Sequence, residues 1–301
     1  EVEEGHVLTI KEGVTVYFGG NSGMFINGTL HIEGGQDTTQ WVTFRGYRLD
    51  KQANNVLYDQ LPGQWLGVFI MRGSQNNRIE NFRMRGSEYG LNIGTVNVED
   101  LSSVSLSNAP DLRILNSAIY NSSMYGVYGF LAKIHATNLL IYNIGRNAIY
   151  ASLGGEYLIE HSTFHLRSSG FFDHKEPTLY MSDYHAYSQQ VPPLQAPLNM
   201  TMINSVVDGT SNEEVLFDFL SEGNQVEIGF SSLKFSEPQP AEVILNNIFQ
   251  NQDNGFENPS KSDFRLKEGS ILIDKGENIN VLFDIVGNPR SSPPDIGAFE
   301  L

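Results

Sequence analysis

The sequence predicts an all-β fold, a single right-handed parallel β-helix with about 22 residues per coil and capped ends, over residues 1–301. Three segments, which begin at Asn116, Asn138 and Glu160, align without a gap at one offset of 22 residues (138 − 116 and 160 − 138). A self-similar period of this size is typical of a solenoid, whose units bury their apolar faces only against their neighbours. Each segment also consists of short β-branched and aromatic runs between Asn, Ser and Gly, which favours strands over helices.

Stacked coils place equivalent residues of neighbouring coils above one another, about 4.8 Å apart. The alignment therefore predicts amide ladders at the turns, one joining Asn116 to Asn138 and one joining Asn121 to Asn143. Asn side chains at such turns hydrogen-bond to backbone groups, so we interpret both ladders as structural. An aromatic residue stands at the fifth position of every segment, and these rings are expected to stack: Tyr120, Tyr142 and Phe164.

The remaining chain is assigned in order around these repeats. Residues 1–50 alternate apolar and polar positions around Gly-containing turns, and they are predicted to form the opening coils and an N-terminal cap. Residues 173–199 are polar and proline-rich, and they are predicted to leave the rod as a lateral loop, a kind of segment that often carries function. Residues 263–301 are predicted to form a C-terminal capping segment.

Composition and charge restrict the ligand classes. The 19 basic and 35 acidic residues give a net charge of −16, which argues against nucleic acid and against a polybasic membrane contact. The same charge disfavours a strongly anionic polysaccharide unless calcium bridges the two. The chain has no cysteine, which excludes disulfides and Cys nucleophiles. It has no apolar run of 18 residues, so no transmembrane segment is expected, and its polar first residues suit a mature exported protein or a trimmed chain.

Strings at both ends of the chain resemble a known group of proteins. They are GVTVYF, INGTLHIEG, VTFRGYRLD and LPGQWLGVFI near the start, and a tail that closes with D-I-G-A-F-E. These strings resemble right-handed parallel β-helix lipoproteins of the surface or outer membrane of Gram-negative bacteria. The resemblance implies export, a place at the outer membrane on its cell-surface or periplasmic face, and an N-terminal lipid anchor outside this chain. It implies no settled activity, since some β-helix relatives are polysaccharide lyases or hydrolases and others only bind.

The motifs of catalytic β-helices are sparse in this chain. Pectin-degrading hydrolases on this fold cluster aspartates around a Gly-His-Gly string, and this chain has neither that string nor an Asp-Asp pair. No aspartate occurs between Asp111 and Asp173, so the repeats are poor in calcium ligands. These observations favour a protein without catalytic activity. The residues that could still act as acid–base or carboxyl pairs are Glu160, His165, Asp173 and His174.

The long loop and the neighbouring turns also contain candidate ligand-binding residues. Asp173, Glu176 and Asp183 could bind a divalent metal such as calcium, and otherwise no cofactor is expected. Sugar-binding and protein-binding surfaces use exposed aromatic and charged residues, and the candidates of this kind are Tyr125, Arg146, Arg167, Tyr184, His185 and Tyr187. The alternative for both sets is a solvated loop whose aromatics fold back onto the rod, with ordinary charge at the turns.

The sequence thus predicts a non-catalytic interaction module at the cell surface or outer membrane. It would bind a glycan, or it would dock on an outer-membrane protein complex as an accessory subunit. The alternative is a polysaccharide lyase or glycoside hydrolase with an atypical site on the β-helix. A purely structural part of a membrane complex is a third interpretation.

Overall fold

A computed structural model describes residues 1–52, 55–95, 109–186, 188 and 192–301. Its strands stack as the coils of a parallel β-helix, which confirms the predicted fold class. In chain order the strands are β1 (Val7–Lys11), β2 (Thr15–Phe18), β3 (Gly23–Ile26), β4 (Thr29–Glu33), β5 (Val42–Gly46), β6 (Gly67–Met71), β7 (Asn77–Arg85), β8 (Leu91–Thr95), β9 (Asp111–Ser122), β10 (Tyr125–Ile144), β11 (Asn147–Glu160), β12 (Thr163–Leu166), β13 (Leu179–Ser182), β14 (Tyr184–His185), β15 (Leu194–Gln195), β16 (Leu198–Ile203), β17 (Val206–Gly209), β18 (Val215–Asp218), β19 (Gln225–Gly229), β20 (Ser232–Leu233), β21 (Val243–Asn246), β22 (Phe249–Gln250), β23 (Phe256–Asn258) and β24 (Asp263–Leu266). Short 3-10 helices lie at Thr38–Gln40, Tyr58–Gln60 and Pro259–Lys261.

Parallel pairing divides the rod into three faces. Face A is the ladder β1-β4-β7-β9-β10-β11-β16-β19-β21. Face B is β2-β5-β7-β9-β10-β12-β17-β20-β22. Face C is β3-β6-β8-β10-β11-β13-β18. The long strands β7, β9, β10 and β11 belong to more than one face, because each bends at a residue with positive φ.

From β7 onward, the corner between faces A and B is built on one left-handed residue per coil. These residues are Asn81, Asn116, Asn138, His161, Asn204, Phe230 and Asn247, with φ between 45° and 53°. Asn tolerates this conformation better than most residues because its short side chain hydrogen-bonds locally. Asn138 Nδ2 donates to Asn116 Oδ1 at 2.8 Å, and Asn116 Nδ2 donates to Asn81 Oδ1 at 3.2 Å. The predicted ladder is confirmed, and it extends further along the rod than predicted.

The corner between faces B and C contains the second predicted ladder. Asn143 Nδ2 donates to Asn121 Oδ1, and Asn121 Nδ2 donates to the carbonyl oxygen of Gln60 at 3.1 Å. On the adjoining face B the rings of Tyr120 and Tyr142 stack with their centroids 4.8 Å apart and their planes 6° from parallel. Both predicted features are therefore present in the structure.

The prediction that Phe164 is the third ring of this stack is wrong. The offset between paired residues is 22 from Tyr125 to Asn147, but it is 23 from Leu140 to Thr163 (163 − 140). The register shifts at 153–155, where the chain has one extra residue. A shift of one residue in the pairing register turns every side chain of a strand to the opposite face. Phe164 therefore lies beside Ile141 in the core, and His165 occupies the position of the ring.

The predicted lateral loop over 173–199 is shorter than expected. Strand β13 inside this range pairs with β11 and β18, so it belongs to face C. The antiparallel pair of β14 and β15, which we call the hairpin, forms a separate two-stranded sheet outside the stacked coils. Leu194 of the hairpin and Ala196 after it pack on a small apolar cluster of Phe130, Leu131 and Leu153, at the corner between faces C and A.

The C-terminal segment lies along the side of the rod rather than across its end. We call residues 256–301 the flank strap. Its apolar side chains pack on the outward residues Ala118, Leu140 and Val206 of face B. The strap also hydrogen-bonds to the corner ladder, because Arg290 Nη2 donates to Asn138 Oδ1 at 2.9 Å and the amide of Gly297 donates to the carbonyl oxygen of Asn204 at 2.8 Å.

The D-I-G-A-F-E string closes the flank strap. Gly297 has φ 110°, and a Cβ there would lie 2.9 Å from Thr163 Oγ1, so this close approach requires glycine. The carboxylate of Asp295 accepts the backbone amides of Asp274 and Leu301. Glu300 pairs with the buried guanidinium of Arg290 at 3.1 Å. The tail acids thus satisfy backbone and Arg290 donors within the strap.

The buried His161 at this corner makes the stability of the fold sensitive to acid. Burial, followed by the charge of Arg290, lowers the pKa of the His161 imidazole to about 3, whereas its pKa in an unfolded chain is about 6.5. Below pH 6.5 the unfolded state therefore binds a proton that the folded state does not, and the free energy of unfolding falls until about pH 3. The variant His161→Asn keeps a residue that tolerates the left-handed turn but removes the titrating imidazole. Between pH 7.5 and pH 5, we expect its free energy of unfolding to fall by about 2 kcal/mol less than that of the parent. Urea unfolding at both pH values measures this, and parallel pH profiles of parent and variant would contradict it.

Candidate functional site

Face C carries a row of aromatic rings on its outer surface. Inward residues such as Val127 and Ile149 alternate with outward residues such as Tyr128 and Tyr150, as the pleat of a strand requires. Rings at outward positions and at the turns before the strands contact one another along the rod. We call this row the aromatic ribbon, and its members are Phe25, Phe69, Tyr89, Tyr125, Tyr128, Tyr150 and Tyr180.

Ring contacts are continuous from the first coil to β13. The centroids of Phe25 and Phe69 are 4.9 Å apart, and those of Tyr150 and Tyr180 are also 4.9 Å apart. Between them the contacts pass through Tyr89 and Tyr125, whose centroids are 6.3 Å apart. Phe25 is exposed and the tyrosines are half-buried. The ribbon therefore offers apolar ring surface and phenol hydroxyls along the length of the rod.

A carboxylate lies at the end of the ribbon near the hairpin. The hydroxyls of Tyr180 and Tyr184 both donate to Asp218 Oδ2 at 2.7 Å. Burial, and then the hydrogen bond to Asp218, raises the pKa of Tyr180, and this hydrogen bond is the main cause that raises the pKa of Tyr184. Both phenols therefore keep their protons at neutral pH. Arg146 Nη1 lies 3.5 Å from the hydroxyl of Tyr125, which places a cation beside the ribbon.

Of the predicted ligand-binding residues, Tyr125 belongs to the ribbon, and Arg146 and Tyr184 border it. His185 lies at the hairpin instead, where its Nδ1 is 2.6 Å from Ser152 Oγ and its ring contacts Phe130. Burial lowers the pKa of His185. Tyr187 lies outside the described residues.

A groove of about 780 Å³ lies on face A. Pairing of neighbouring strands aligns four of its outward side chains in one column: His31, Arg78, Arg113 and His135. The next column contains Asp111, Lys133 and Glu156, again on successive strands. The groove therefore combines both signs of charge within a protein that is acidic as a whole.

The predicted catalytic residue Glu160 lies beside His135, at the edge of the first column. Its Oε2 accepts from His135 Nε2 and from Thr137 Oγ1, both at 2.8 Å. Burial acts to raise the pKa of Glu160, but the hydrogen bonds from His135 and Thr137 and the charges of His135 and Arg113 outweigh it and lower the pKa. Glu160 is therefore a carboxylate at neutral pH, which orients His135 and is a poor proton donor.

The predicted residues His165 and Arg167 lie on face B, next to the flank strap. His165 Nδ1 is 3.2 Å from Asp208 Oδ2, and its ring contacts Phe264 of the strap. Arg167 Nη2 donates to the carbonyl oxygen of Ser260 at 2.6 Å. These two residues line a cavity of about 630 Å³, separate from Tyr125 and Arg146, so the structure does not bring the two predicted arginines into one groove.

The three acids predicted to bind metal have different environments. Asp173 is exposed and pairs with Lys175 at 2.6 Å, and Glu176 is exposed. Asp183 is buried, and its carboxylate accepts the backbone amides of Leu220 and Ser221 at 2.8 Å each. In the part of the chain that the structure describes, no three His, Asp or Glu side chains are grouped so as to bind a metal ion.

His174, a predicted catalytic residue, belongs to a fully buried pair. Its Nε2 lies 2.9 Å from Glu214 Oε2, and neither side chain is exposed to solvent. Glu214 also accepts from Thr178 Oγ1 at 2.7 Å and from the amide of Ser211 at 2.7 Å. The pair therefore joins the segment before β13 to the segment before β18, and no substrate can reach it.

Sequence reasoning missed several residues that define these surfaces. Arg113 and His135 are one repeat apart (113 + 22 = 135), so the alignment could have paired them. Asp218 lies 38 residues after Tyr180 in sequence, and the irregular coil between them hid their contact. Glu214 had no pattern that pointed to His174.

Comparison with models of protein families and with curated proteins finds no match to this chain. Among the described residues, no helix has the length and apolarity needed to cross a bilayer. Function is therefore inferred from the chemistry of the three faces.

Loss of the buried pair of His174 and Glu214 is predicted to lower the free energy of unfolding strongly. Glu214→Gln would place an amide group where only acceptors fit, and it would leave a donor of His174, Thr178 or Ser211 unsatisfied. A buried donor without a partner costs about 1–3 kcal/mol, so we expect the free energy of unfolding to fall by about 3 kcal/mol. The matched control is Glu222→Gln at an exposed site, for which a change within about 0.5 kcal/mol is expected. Equal urea midpoints of the two variants would show that the pair does not stabilise the rod.

Proposed function

We propose that this chain is a non-catalytic binding module that binds an extended glycan along the aromatic ribbon of face C. One observation carries the proposal: rings contact one another without a break from Phe25 to Tyr180 on a single outer face. Tyrosine combines an apolar ring with a polar hydroxyl, which matches the apolar C–H faces and hydroxyl groups of a sugar. A row of such rings along the rod suits a chain-like ligand better than a compact one.

Rigidity supports the proposal. The ribbon lies on strands of the main sheet and its rings pack on one another, so few side chains need to be ordered when a ligand binds. Binding surfaces that are already ordered lose less affinity to conformational entropy. A β-strand surface also repeats at about 4.8 Å, which gives a polymer of similar units the same kind of contact at each coil.

Charge favours a neutral or weakly charged glycan. The net charge of −16 repels a polyanion. Asp218 at the end of the ribbon can accept hydrogen bonds from sugar hydroxyls, and Arg146 at its edge can donate to them. Hydrogen bonds to these two groups would orient the glycan, while the rings provide contact area.

The surroundings of the acidic residues support binding without catalysis. Glycoside hydrolysis requires two carboxyl groups, one of which keeps a proton at the working pH. The pKa of Glu160 is lowered, and Asp183 and Glu214 are buried among structural hydrogen bonds. A lyase or hydrolase with an atypical site is the alternative function, and release of new sugar ends from a bound glycan would establish it.

We also propose that the protein acts at the outer membrane or cell surface. The support is the resemblance of the first coils and of the D-I-G-A-F-E tail to lipoproteins of Gram-negative bacteria. A lipid anchor before Glu1 would fix the rod at its first coil and leave face C accessible to a glycan.

The proposal predicts that removal of single rings weakens binding. Neutral oligosaccharides on a glycan array identify the best ligand, and calorimetry then measures its affinity. We expect Tyr125→Ala and Tyr150→Ala each to weaken binding about tenfold, because loss of one aromatic contact costs about 1.4 kcal/mol. The matched control, Tyr47→Ala, removes an exposed tyrosine outside the ribbon and should bind like the parent.

Two results would contradict the proposal. One is equal affinity of parent and ribbon variants with unchanged thermal unfolding. The other is a parent that binds no glycan but co-purifies from membranes with a protein partner, which would favour docking on an outer-membrane complex.

A further inference from the structure

One guanidinium in the groove of face A, that of Arg113, forms no ion pair with a carboxylate of the described residues, although its charge acts on nearby Glu160. Arg113 points outward from β9 and is exposed, and its side chain forms no hydrogen bond or ion pair within the described residues. The neighbouring Arg78 differs, because its Nη2 donates to Glu33 Oε1 at 2.6 Å. In a chain with 35 acidic and 19 basic residues, an unpaired arginine in a groove is unexpected.

One neighbour of Arg113 in the column is a second cation. Pairing places Arg78 on one side of it and His135 on the other, in the same outward column. Like charges opposite each other on neighbouring strands destabilise a sheet. Lys133 lies one position away on β10, and its Nζ is 3.7 Å from Glu156, which is longer than a hydrogen bond. Asp111 and Glu156 lie on either side of Lys133, and Glu160 hydrogen-bonds to His135. Carboxylates therefore lie in and beside the groove, but within the described residues none forms an ion pair with Arg113.

The other half of the groove has a different chemistry. Leu158 follows His135 in the same column and is partly exposed, and Thr201 lies beside Leu158. Asn199 occupies the next column on the same strand. Glu227 follows Thr201 in the same column, so the acidic end of the groove lies four strands from Arg113. The apolar, hydroxyl and amide groups between these two ends match a sugar ring whose one acidic group lies at Arg113.

We propose that the groove of face A is a second binding site, whose ligand is an acidic sugar residue bound through its carboxylate by Arg113. The planar guanidinium fits a carboxylate with two parallel hydrogen bonds. Lys133 adds a donor from the neighbouring strand, and Leu158 packs on the ring of the sugar. The net charge of −16 repels polyanions, so the site suits an isolated uronic acid within a mostly neutral glycan. This site does not depend on the aromatic ribbon.

Nuclear magnetic resonance titration of the full chain tests the site with three probes: sodium glucuronate, glucose and sodium sulfate. The imidazole signals of His31 and His135 report on the groove directly. We expect saturable shifts with glucuronate and binding at least tenfold weaker with glucose. Arg113→Gln should weaken glucuronate binding at least tenfold, and Arg113→Lys should restore part of it, because lysine keeps the charge but loses the two-pronged geometry.

The matched control is Arg265→Gln, which removes an exposed arginine of the flank strap, outside both the groove and the ribbon, and should leave glucuronate binding unchanged. Thermal unfolding confirms that each variant is folded. The site is overturned if the parent shows no saturable shift with glucuronate, if Arg113→Gln binds like the parent, or if Arg265→Gln weakens binding equally. Sulfate that binds as well as glucuronate overturns the assignment to a sugar. None of these outcomes affects the aromatic ribbon, which is tested with neutral glycans and tyrosine variants.

Discussion

The rod depends on one backbone constraint, a left-handed residue at the same corner of successive coils. A coil closes over the one below only if its chain turns sharply between faces A and B, and most L-residues adopt the required positive φ only at a cost in energy. Asn reduces this cost and its amide bonds to the equivalent residue of the next coil, as Asn138 does to Asn116. The turn residue therefore fixes the direction of the chain within a coil and the alignment between coils.

Both candidate surfaces follow from this alignment. Because equivalent residues stack, an outward tyrosine in several coils becomes a continuous ribbon, and outward cations on successive strands become a column. The flank strap uses the same corner, since Arg290 bonds to Asn138 and the amide of Gly297 bonds to Asn204. Face B is consequently covered by the protein's own chain, whereas faces A and C keep surface for ligands.

The fold, both amide ladders and the Tyr120–Tyr142 stack could be predicted, because a constant offset of 22 residues in sequence becomes a contact in space. The prediction failed where the offset changed. One extra residue at 153–155 moved Phe164 into the core and gave its place to His165. The site was predicted less well, since exposure and charge pairing depend on contacts across irregular coils. Nothing in the sequence distinguishes the unpaired Arg113 from the paired Arg78, or shows that Asp218 meets Tyr180 and Tyr184.

The flank strap also changes how such a rod can come apart. In a plain solenoid each coil touches only its neighbours, so coils can separate one at a time from either end. Here one segment bonds to Asn138, Thr163 and Asn204 in three successive coils. These coils must open together with the strap, as a single cooperative unit of the kind that hydrogen exchange detects. The first coil, which contains β1, lies beyond these bonds and can fray without disturbing the centre.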